Sequence, residues 1–262
     1  MPQSKLPLSR PFWWDAHCHL VELLGFPEKL DSVLKSSIQS GVQGWVIGGI
    51  SPQDMLEQGK IRTKYGPNVV TSVGLHPWWV SHQTQEDVIR SLSQFDHLVH
   101  QAHAVGEIGL DYSSDFRRPE SKAKQLLACE HALKVSHIVS KPLILHVVQA
   151  HSDLLALLDR FGSFPKGGMV HGFTGSPEIA QQYIRRGFLI SIGTGILKTG
   201  YKQLKKTAFQ LRDDQFLLET DSLDPAQLLG VAEALADLRK DSRDSVLFSS
   251  SRNLCRLFGL DL

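Results

Sequence analysis

The sequence of 262 residues has few cysteines, no excess of charge of one sign and no long apolar run. Cys18, Cys129 and Cys255 are widely spaced and odd in number, so no disulfide framework is expected and a reducing cytoplasm is the simplest setting. Residues 1–14 lack the apolar stretch of a signal peptide, and no segment is long enough to cross a bilayer. The net charge of +1 does not indicate binding to nucleic acid or membranes through overall charge. We expect a cytoplasmic monomer without a membrane partner.

Two common catalytic motifs are missing as well. The sequence has neither a GxxxxGK(S/T) phosphate loop nor a GxSxG nucleophile turn, which excludes the usual P-loop NTPases and serine hydrolases. The basic residues of segment 202–212 are typical of a solvated helix face. The tryptophan pairs at 13–14 and 78–79 could stack on bases, but packing beside strands is the more common role of such pairs.

A regular alternation of apolar runs with stretches of helical spacing covers the chain. The runs are rich in β-branched and aromatic residues and predict strands at 12–19, 44–50, 69–76, 103–110, 142–148, 167–173, 188–194 and 216–221. Helical spacing is found between them, for example at 28–40, 121–140, 151–161 and 177–187. Eight such strand–helix units predict a single-domain (β/α)8 TIM-type barrel over residues 1–262, with an open doubly wound sheet as the alternative. A last helix, at about 243–258, is expected to pack outside the barrel.

Histidines and carboxylates stand at the carboxyl ends of the predicted strands, which converge on one face of a barrel. Asp15, His17 and His19 end the first strand and project to one side, whereas Cys18 projects toward the helices. A single histidine or an HxH pair is more often structural than metal-binding, but this combination on one face predicts a metal site. The predicted ligands are His17, His19, Glu107, His146, His171 and Asp221, and His76 ends the third strand beside them.

This ligand set exceeds the needs of one catalytic metal and suits two divalent cations that share a carboxylate. Nitrogen and oxygen donors fit zinc, manganese or magnesium, and the sequence does not select among them. Such a pair lowers the pKa of a bridging water, polarises a carbonyl or phosphoryl oxygen and neutralises charge on the leaving oxygen. The expected activity is therefore metal-dependent hydrolysis.

The same residues lie in motifs that resemble the TatD family of metal-dependent deoxyribonucleases, part of the amidohydrolase-like barrels. The motifs span nearly the whole chain and are DAHCHL (15–20), GLHP (74–77), GEIGLDY (106–112), PLILH (142–146), VHGFTGS (170–176), LLETDS (217–222) and RNLCRLFGL (252–260). The resemblance implies that Glu107 bridges two metals. The first metal would be bound by His17, His19, Glu107 and Asp221, and the second by Glu107, His146 and His171. It further implies hydrolysis of phosphodiester bonds in DNA, often from the 3′ end of single strands, with His76 reaching the substrate phosphate.

The rim of the predicted site departs from the family pattern. Val148 stands where the family has arginine two residues beyond the fifth-strand histidine, and Leu223 replaces a proline. The proline-rich loop that normally follows is shortened to Asp224–Pro225, and Leu254 replaces a threonine beside the matching Asn253. The metal ligands are kept, while residues expected to face the substrate differ.

Three functional hypotheses are compatible with this pattern. The leading one is a phosphodiesterase acting on DNA or a nucleotide, in which Asp221 accepts the proton of the attacking hydroxide. His76 and the second metal would then stabilise the charged oxygens of the transition state. A second hypothesis keeps the metals but hydrolyses an uncharged ester, lactone or amide. The third is a degenerate family member that acts as a binding module, against which the complete ligand set argues.

Overall fold

The computed structural model describes residues 12–261, so residues 1–11 and 262 of the expected domain, with most of the N-terminal segment 1–14, lie outside the described range. Eight parallel strands follow one another around a nearly closed barrel in the order of the sequence, which confirms the predicted (β/α)8 fold. They are β1 (Trp13–Cys18), β2 (Val42–Ile47), β3 (Val69–Val73), β4 (Ala104–Asp111), β5 (Leu143–Val148), β6 (Gly168–Val170), β7 (Phe188–Ile192) and β8 (Phe216–Leu218).

The barrel closes between β1 and the segment that follows β8. The N–H of Asp221 donates to the carbonyl of His17 (2.9 Å), and the N–H of His19 donates to the carbonyl of Ser222 (3.0 Å). The first and last predicted ligand segments are therefore held side by side by backbone hydrogen bonds.

Helices on the outside of the barrel connect the strands. In the described range they are α1 (Pro27–Gln39), α2 (Pro52–Tyr65), α3 (Pro77–His82), α4 (Gln85–Leu98), α5 (Pro119–Val139), α6 (His151–Phe161), α7 (Pro177–Arg185), α8 (Lys202–Gln210), α9 (Leu228–Arg239) and α10 (Arg243–Phe258). Short 3-10 helices lie at Leu20–Leu23, Thr194–Leu197 and Pro225–Gln227. The hydroxyl oxygen of Ser176 accepts the N–H of Ile179, so serine caps α7 as its sequence predicts. Among residues 12–261, no helix is both long and apolar enough to cross a membrane.

The predicted strands at 167–173 and 216–221 are longer than the strands observed there. The chain turns at Gly172 and Asp221, which have positive φ angles of 57° and 49°, so extended structure cannot continue through them. His171 and Asp221 consequently lie in loops just beyond β6 and β8. The predicted helices differ from the observed ones by at most two residues at either end.

Strand residues alternate between the barrel interior and the layer of helices. Val46, Ile144 and Leu217 are buried together in the interior, whereas Cys18 packs in the cluster that faces the helices, as predicted. α10 lies against β1 and β8, and its Leu254 joins the interior cluster. Apolar side chains thus fill the lower part of the barrel, and polar side chains gather at the carboxyl ends of the strands.

Candidate metal centre

The structure brings all the predicted ligands, together with His76, to the carboxyl-end mouth of the barrel. Their ligand atoms form two groups, within each of which the atoms lie within 4.8 Å of one another. The first cluster consists of His17, His19 and Asp221, and the second cluster consists of His76, Glu107, His146 and His171.

The first cluster joins β1 to the loop after β8. His17 is fully buried, whereas the side chains of His19 and Asp221 are 18% and 41% exposed. Oδ1 of Asp221 lies 3.0 Å from Nε2 of His19 and 3.9 Å from Nε2 of His17. Burial acts to lower the pKa of His19, but the hydrogen bond with Asp221 and the charge of Glu107 outweigh it and raise the pKa to about 9. Without a metal, His19 therefore holds a proton at neutral pH.

The second cluster gathers buried side chains that lie on, or just beyond, four neighbouring strands, β3 to β6. Nε2 of His171 lies 2.8 Å from Oε2 of Glu107 and 2.9 Å from Nδ1 of His146. Nε2 of His76 lies 3.5 Å from the same Glu107 oxygen and 3.3 Å from Nδ1 of His146. His76, which the sequence placed toward the substrate, therefore also faces the ligand atoms of this cluster.

Glu107 connects the two clusters. Its Oε1 lies 3.3 Å from Nε2 of His17, while its Oε2 faces His171. Within residues 12–261, neither oxygen of Glu107 and neither ring nitrogen of His17 has a hydrogen-bond partner. Burial favours the protonated acid, but His17, His171 and His76 keep the pKa of Glu107 well below its usual range. A buried carboxylate to which the neighbouring imidazoles make no well-aligned hydrogen bond is suited to bind a cation.

The backbone leaves room for this carboxylate. A Cβ atom at Gly48, just beyond β2, would lie 2.4 Å from Oε1 of Glu107 and 2.8 Å from Nε2 of His17. Only glycine therefore lets the two ligand atoms occupy their observed positions. Imidazole nitrogens and carboxylate oxygens this close together, of which those of Glu107 and His17 are buried without a hydrogen-bond partner in the described range, fit divalent metal ions.

Asp111, the last residue of β4, contacts the predicted ligand His146 and was not among the predicted site residues. Its Oδ2 lies 3.2 Å from Nε2 of His146 and accepts the indole N–H of Trp78 at 2.6 Å. With the Nε2–H of His146 donated to Asp111, Nδ1 keeps its lone pair and faces the second cluster. Burial opposes ionisation, but these hydrogen bonds and those from Ser113 hold the pKa of Asp111 below its usual range. Glu107 and Asp111 lie on the same face of β4, so the alternation of side chains along the strand could have identified Asp111 as a site residue.

Two further buried carboxylates, Glu219 and Asp15, hold the loops that carry the ligands. Glu219 accepts the N–H of Gly172 and the hydroxyl of Ser191, both at 2.5 Å. Asp15 accepts the N–H of Thr220 at 2.9 Å and its hydroxyl at 2.6 Å. Burial raises the pKa of Asp15 to about 7 and also raises that of Glu219. Asp15 lies two positions before His17, and Glu219 lies two positions before Asp221. This spacing from a predicted ligand is the sequence signal by which both carboxylates could have been found.

The mouth of the barrel contains two adjoining cavities. One, of about 210 Å³, is lined by ligands of both clusters together with Trp78 and Val148. No lysine or arginine of the described range lines this cavity. The other, of about 170 Å³, meets it at Gly172 and Asp221 and includes Lys198 in its wall. The ligand clusters are thus open to a substrate on one side of the barrel.

Comparisons with known proteins agree with the motifs and the geometry. The family model described as TatD related DNase matches residues 14–259. The uncharacterized metal-dependent hydrolase YcfH of Escherichia coli (strain K12) is 29% identical over 266 residues, which cover 95% of this chain and 97% of that protein. The 3′-5′ ssDNA/RNA exonuclease TatD of Escherichia fergusonii is 24% identical over 263 residues, covering 90% and 95%. The crystal structure of YJJV, a TatD homologue from E. coli K12, has a TM-score of 0.84 and 24% identity, covering 95% of this chain and 98% of that one. The chain therefore belongs to the TatD family of metal-dependent hydrolases.

Proposed function

We propose that this chain hydrolyses phosphodiester bonds in DNA and acts as a 3′–5′ exonuclease on single strands. The observation that carries the proposal is the pair of ligand clusters joined by Glu107 at an open cavity. Two adjacent cationic centres suit phosphodiester hydrolysis, because charge develops on both the attacking and the leaving oxygen. The choice of single-stranded DNA follows the name of the E. fergusonii relative, a 3′-5′ ssDNA/RNA exonuclease.

Two divalent ions, either zinc, magnesium or manganese, are the proposed cofactors. Glu107 would bridge them, since its two oxygens face different clusters. The first ion would be held by His17, His19, Glu107 and Asp221, and the second by Glu107, His146 and His171. When bound, such ions supply Lewis acidity toward phosphoryl oxygens and make water a stronger nucleophile near neutral pH.

His76 is the proposed hydrogen-bond donor to a phosphate oxygen. The N–H of Trp78 donates to Nδ1 of His76 at 3.1 Å, so the neutral ring carries its proton on Nε2. Burial, reinforced by the neighbouring His146, holds the pKa of His76 well below its usual range. The ring therefore stays neutral, and its Nε2–H points into the second cluster, where a phosphate oxygen would accept it.

Asp221 is the proposed acceptor of the proton from the attacking water. Its side chain is 41% exposed and lines the cavity. Burial would favour the acid form, but the hydrogen bond with His19 and the nearby imidazoles hold the pKa of Asp221 below its usual range. The carboxylate is therefore ionised at neutral pH, and its backbone hydrogen bond to His17 fixes its position.

A nuclease assay with purified protein loaded with zinc, magnesium or manganese tests this proposal. With a 5′-labelled single-stranded oligonucleotide, we expect a ladder of products shortened from the 3′ end. Asp221→Asn and Glu107→Ala are expected to abolish the ladder, whereas Asp244→Asn, on an exposed helix end, should leave it unchanged. If none of the three ions supports cleavage by the wild type, or if Asp221→Asn cuts equally well, the nuclease proposal is wrong.

One observation favours a second candidate, hydrolysis of an uncharged ester, lactone or amide. The 210 Å³ cavity has Val148 in its wall and no lysine or arginine among the described residues to pair with a phosphate. The same ligand clusters could act on a carbonyl carbon. A panel of neutral lactones, esters and amides separates the candidates, since a nuclease that depends on phosphate should not turn them over.

A further inference from the structure

An exposed aromatic surface lies beside the second cluster. Trp78 is 46% exposed, whereas the other tryptophans of the described range are buried or half-buried. The ring of Phe116 is inclined by 26° to that of Trp78, with 6.2 Å between the centroids, and the edge of His82 contacts Phe116 at 5.7 Å. We call Trp78, Phe116 and His82 the aromatic shelf.

The shelf is held rigidly against the metal centre. The indole N–H of Trp78 donates to Asp111 at 2.6 Å. The Trp78 ring also makes edge contacts with His76 and His146, with centroid distances of 4.7 and 5.6 Å. A ring that is fixed in advance loses little conformational entropy when a ligand stacks on it. An exposed ring that packs against two histidines of the second cluster, with its one polar atom bound to Asp111, is placed for contact with a substrate.

We infer that the aromatic shelf binds the unpaired base of the nucleotide whose phosphodiester bond lies at the second cluster. This inference rests on the proposed nuclease function and names the contact that selects its substrate. Aromatic side chains stack on bases of any sequence, which suits an enzyme that must accept each successive 3′ end. The shelf adjoins His76, so a base stacked on it leaves its own phosphate beside the cluster.

Positive charge lies close to the shelf in the same loop. Arg117 and Arg118 directly follow Phe116, and both are exposed. Neither forms an ion pair with another residue of the described range. Aromatic rings beside unpaired arginines are the usual combination in sites for single-stranded nucleic acid, where the cations track the backbone phosphates. No lysine or arginine of the described range lines the cavity itself, so in this inference the two loop arginines would contact the phosphates of the strand outside the cavity.

Base stacking by Trp78 can be distinguished from a purely structural role by comparing two substitutions at this position. If its only task were to hold Asp111 through the indole N–H, any substitution that removes the N–H would have the same effect. Trp78→Phe keeps an aromatic face but removes the N–H, and Trp78→Leu removes both. Phe209→Leu, at an exposed phenylalanine of α8, is the matched control for loss of an aromatic surface.

The test measures binding of a labelled ten-residue oligothymidylate to the metal-loaded protein by fluorescence anisotropy. A phosphorothioate at its terminal linkage slows cleavage, and a second oligonucleotide lacks only the 3′-terminal base. Loss of base stacking by Trp78→Leu is expected to weaken binding about five- to hundredfold. Trp78→Phe and Phe209→Leu should stay within about threefold of the wild type, and Phe116→Leu should fall between. With the base-free oligonucleotide, the wild type and Trp78→Leu should bind equally.

The inference fails if Trp78→Phe and Trp78→Leu lose affinity equally, if the loss persists with the base-free oligonucleotide, or if the wild type binds both oligonucleotides equally. These outcomes are independent of the nuclease assay. Cleavage without a base-dependent effect of Trp78→Leu would leave the proposed function standing and overturn the shelf. Base-dependent binding without cleavage would support the shelf and overturn the nuclease.

Discussion

Replacement of Gly48 by alanine is expected to disable the metal centre without unfolding the barrel. The added Cβ would lie 2.4 Å from Oε1 of Glu107, about 1 Å short of the 3.4 Å at which ordinary van der Waals contact begins. It would also lie 2.6 Å from Cε1 of His17. Both neighbours are the ends of side chains, so the clash is relieved by moving the proposed ligands and not the strands.

The expected magnitudes follow from that displacement. Overpacking a buried site typically costs about 1–3 kcal/mol, and side-chain relief should keep Gly48→Ala at the lower end of that range. A misplacement of about 1 Å in a catalytic group can reduce the rate by about 100-fold. We therefore expect about a 100-fold lower kcat and a weakened metal affinity, with a free energy of unfolding of the metal-free protein that falls by only about 1 kcal/mol.

The assay combines metal titration by calorimetry, denaturant unfolding and turnover of the best substrate found. Gly59→Ala, in α2, is the matched control because a Cβ there meets no atom within 4 Å. In a helix this change should stabilise the protein by roughly 0.5–1 kcal/mol and leave metal binding unchanged. Wild-type metal affinity and turnover in Gly48→Ala would refute the view that Glu107 and His17 must occupy their observed positions.

Three other experiments test metal binding by the two clusters: a substitution, a change of pH and removal of the metal. Asp111→Asn removes the charge that orients His146 and should weaken metal affinity about 10- to 100-fold, as measured by competition with a chromophoric chelator. Metal uptake at pH 7 should release a proton from His19, whose pKa is raised to about 9; affinity should therefore rise with pH up to about 9 and fall in acid. Calorimetry in buffers of different ionisation enthalpy would show this, and a proton count of zero would contradict it. Removal of metal by a chelator should lower the free energy of unfolding by about 3 kcal/mol, compared with protein in a free metal concentration about 100 times the dissociation constant of the metal. An unchanged melting temperature would argue against metal binding at this site.

The meeting of the proposed ligands at one mouth of the barrel could be predicted because they obey the geometry of the strands. A parallel barrel gathers the ends of all its strands on one face, so polar residues at those positions must meet whatever their distance in sequence. Asp111 could have been found in the same way, since alternation places it on the face of Glu107. The two closing hydrogen bonds, from Asp221 to His17 and from His19 to Ser222, show that the same rule applies where β1 meets the segment after β8.

The sequence could not predict features that depend on local backbone turns. β6 and β8 end at Val170 and Leu218, shortly before Gly172 and Asp221 take positive φ, and nothing in the apolar pattern marks those turns. The exposure of Trp78 at the mouth was also beyond the sequence, because packing beside strands is the more common role of a tryptophan pair such as 78–79. The structure separates the two residues: Trp79 packs against a buried apolar cluster, while Trp78 is exposed at the mouth.

The division between strands and loops explains why the type of chemistry is better defined than the substrate. The proposed ligands stand on strands or directly after them, where the barrel fixes their positions, and Glu107 ties them into one unit. The groups that would face a substrate, such as Trp78, Phe116 and Val148, stand on α3, in a loop and at a strand end. Of these, Trp78 contacts His76 and His146 directly, and it contacts His146 also through Asp111. A change of substrate during evolution could therefore proceed at Phe116 and Val148 with the proposed ligands in place, whereas a change at Trp78 would act on those ligands as well.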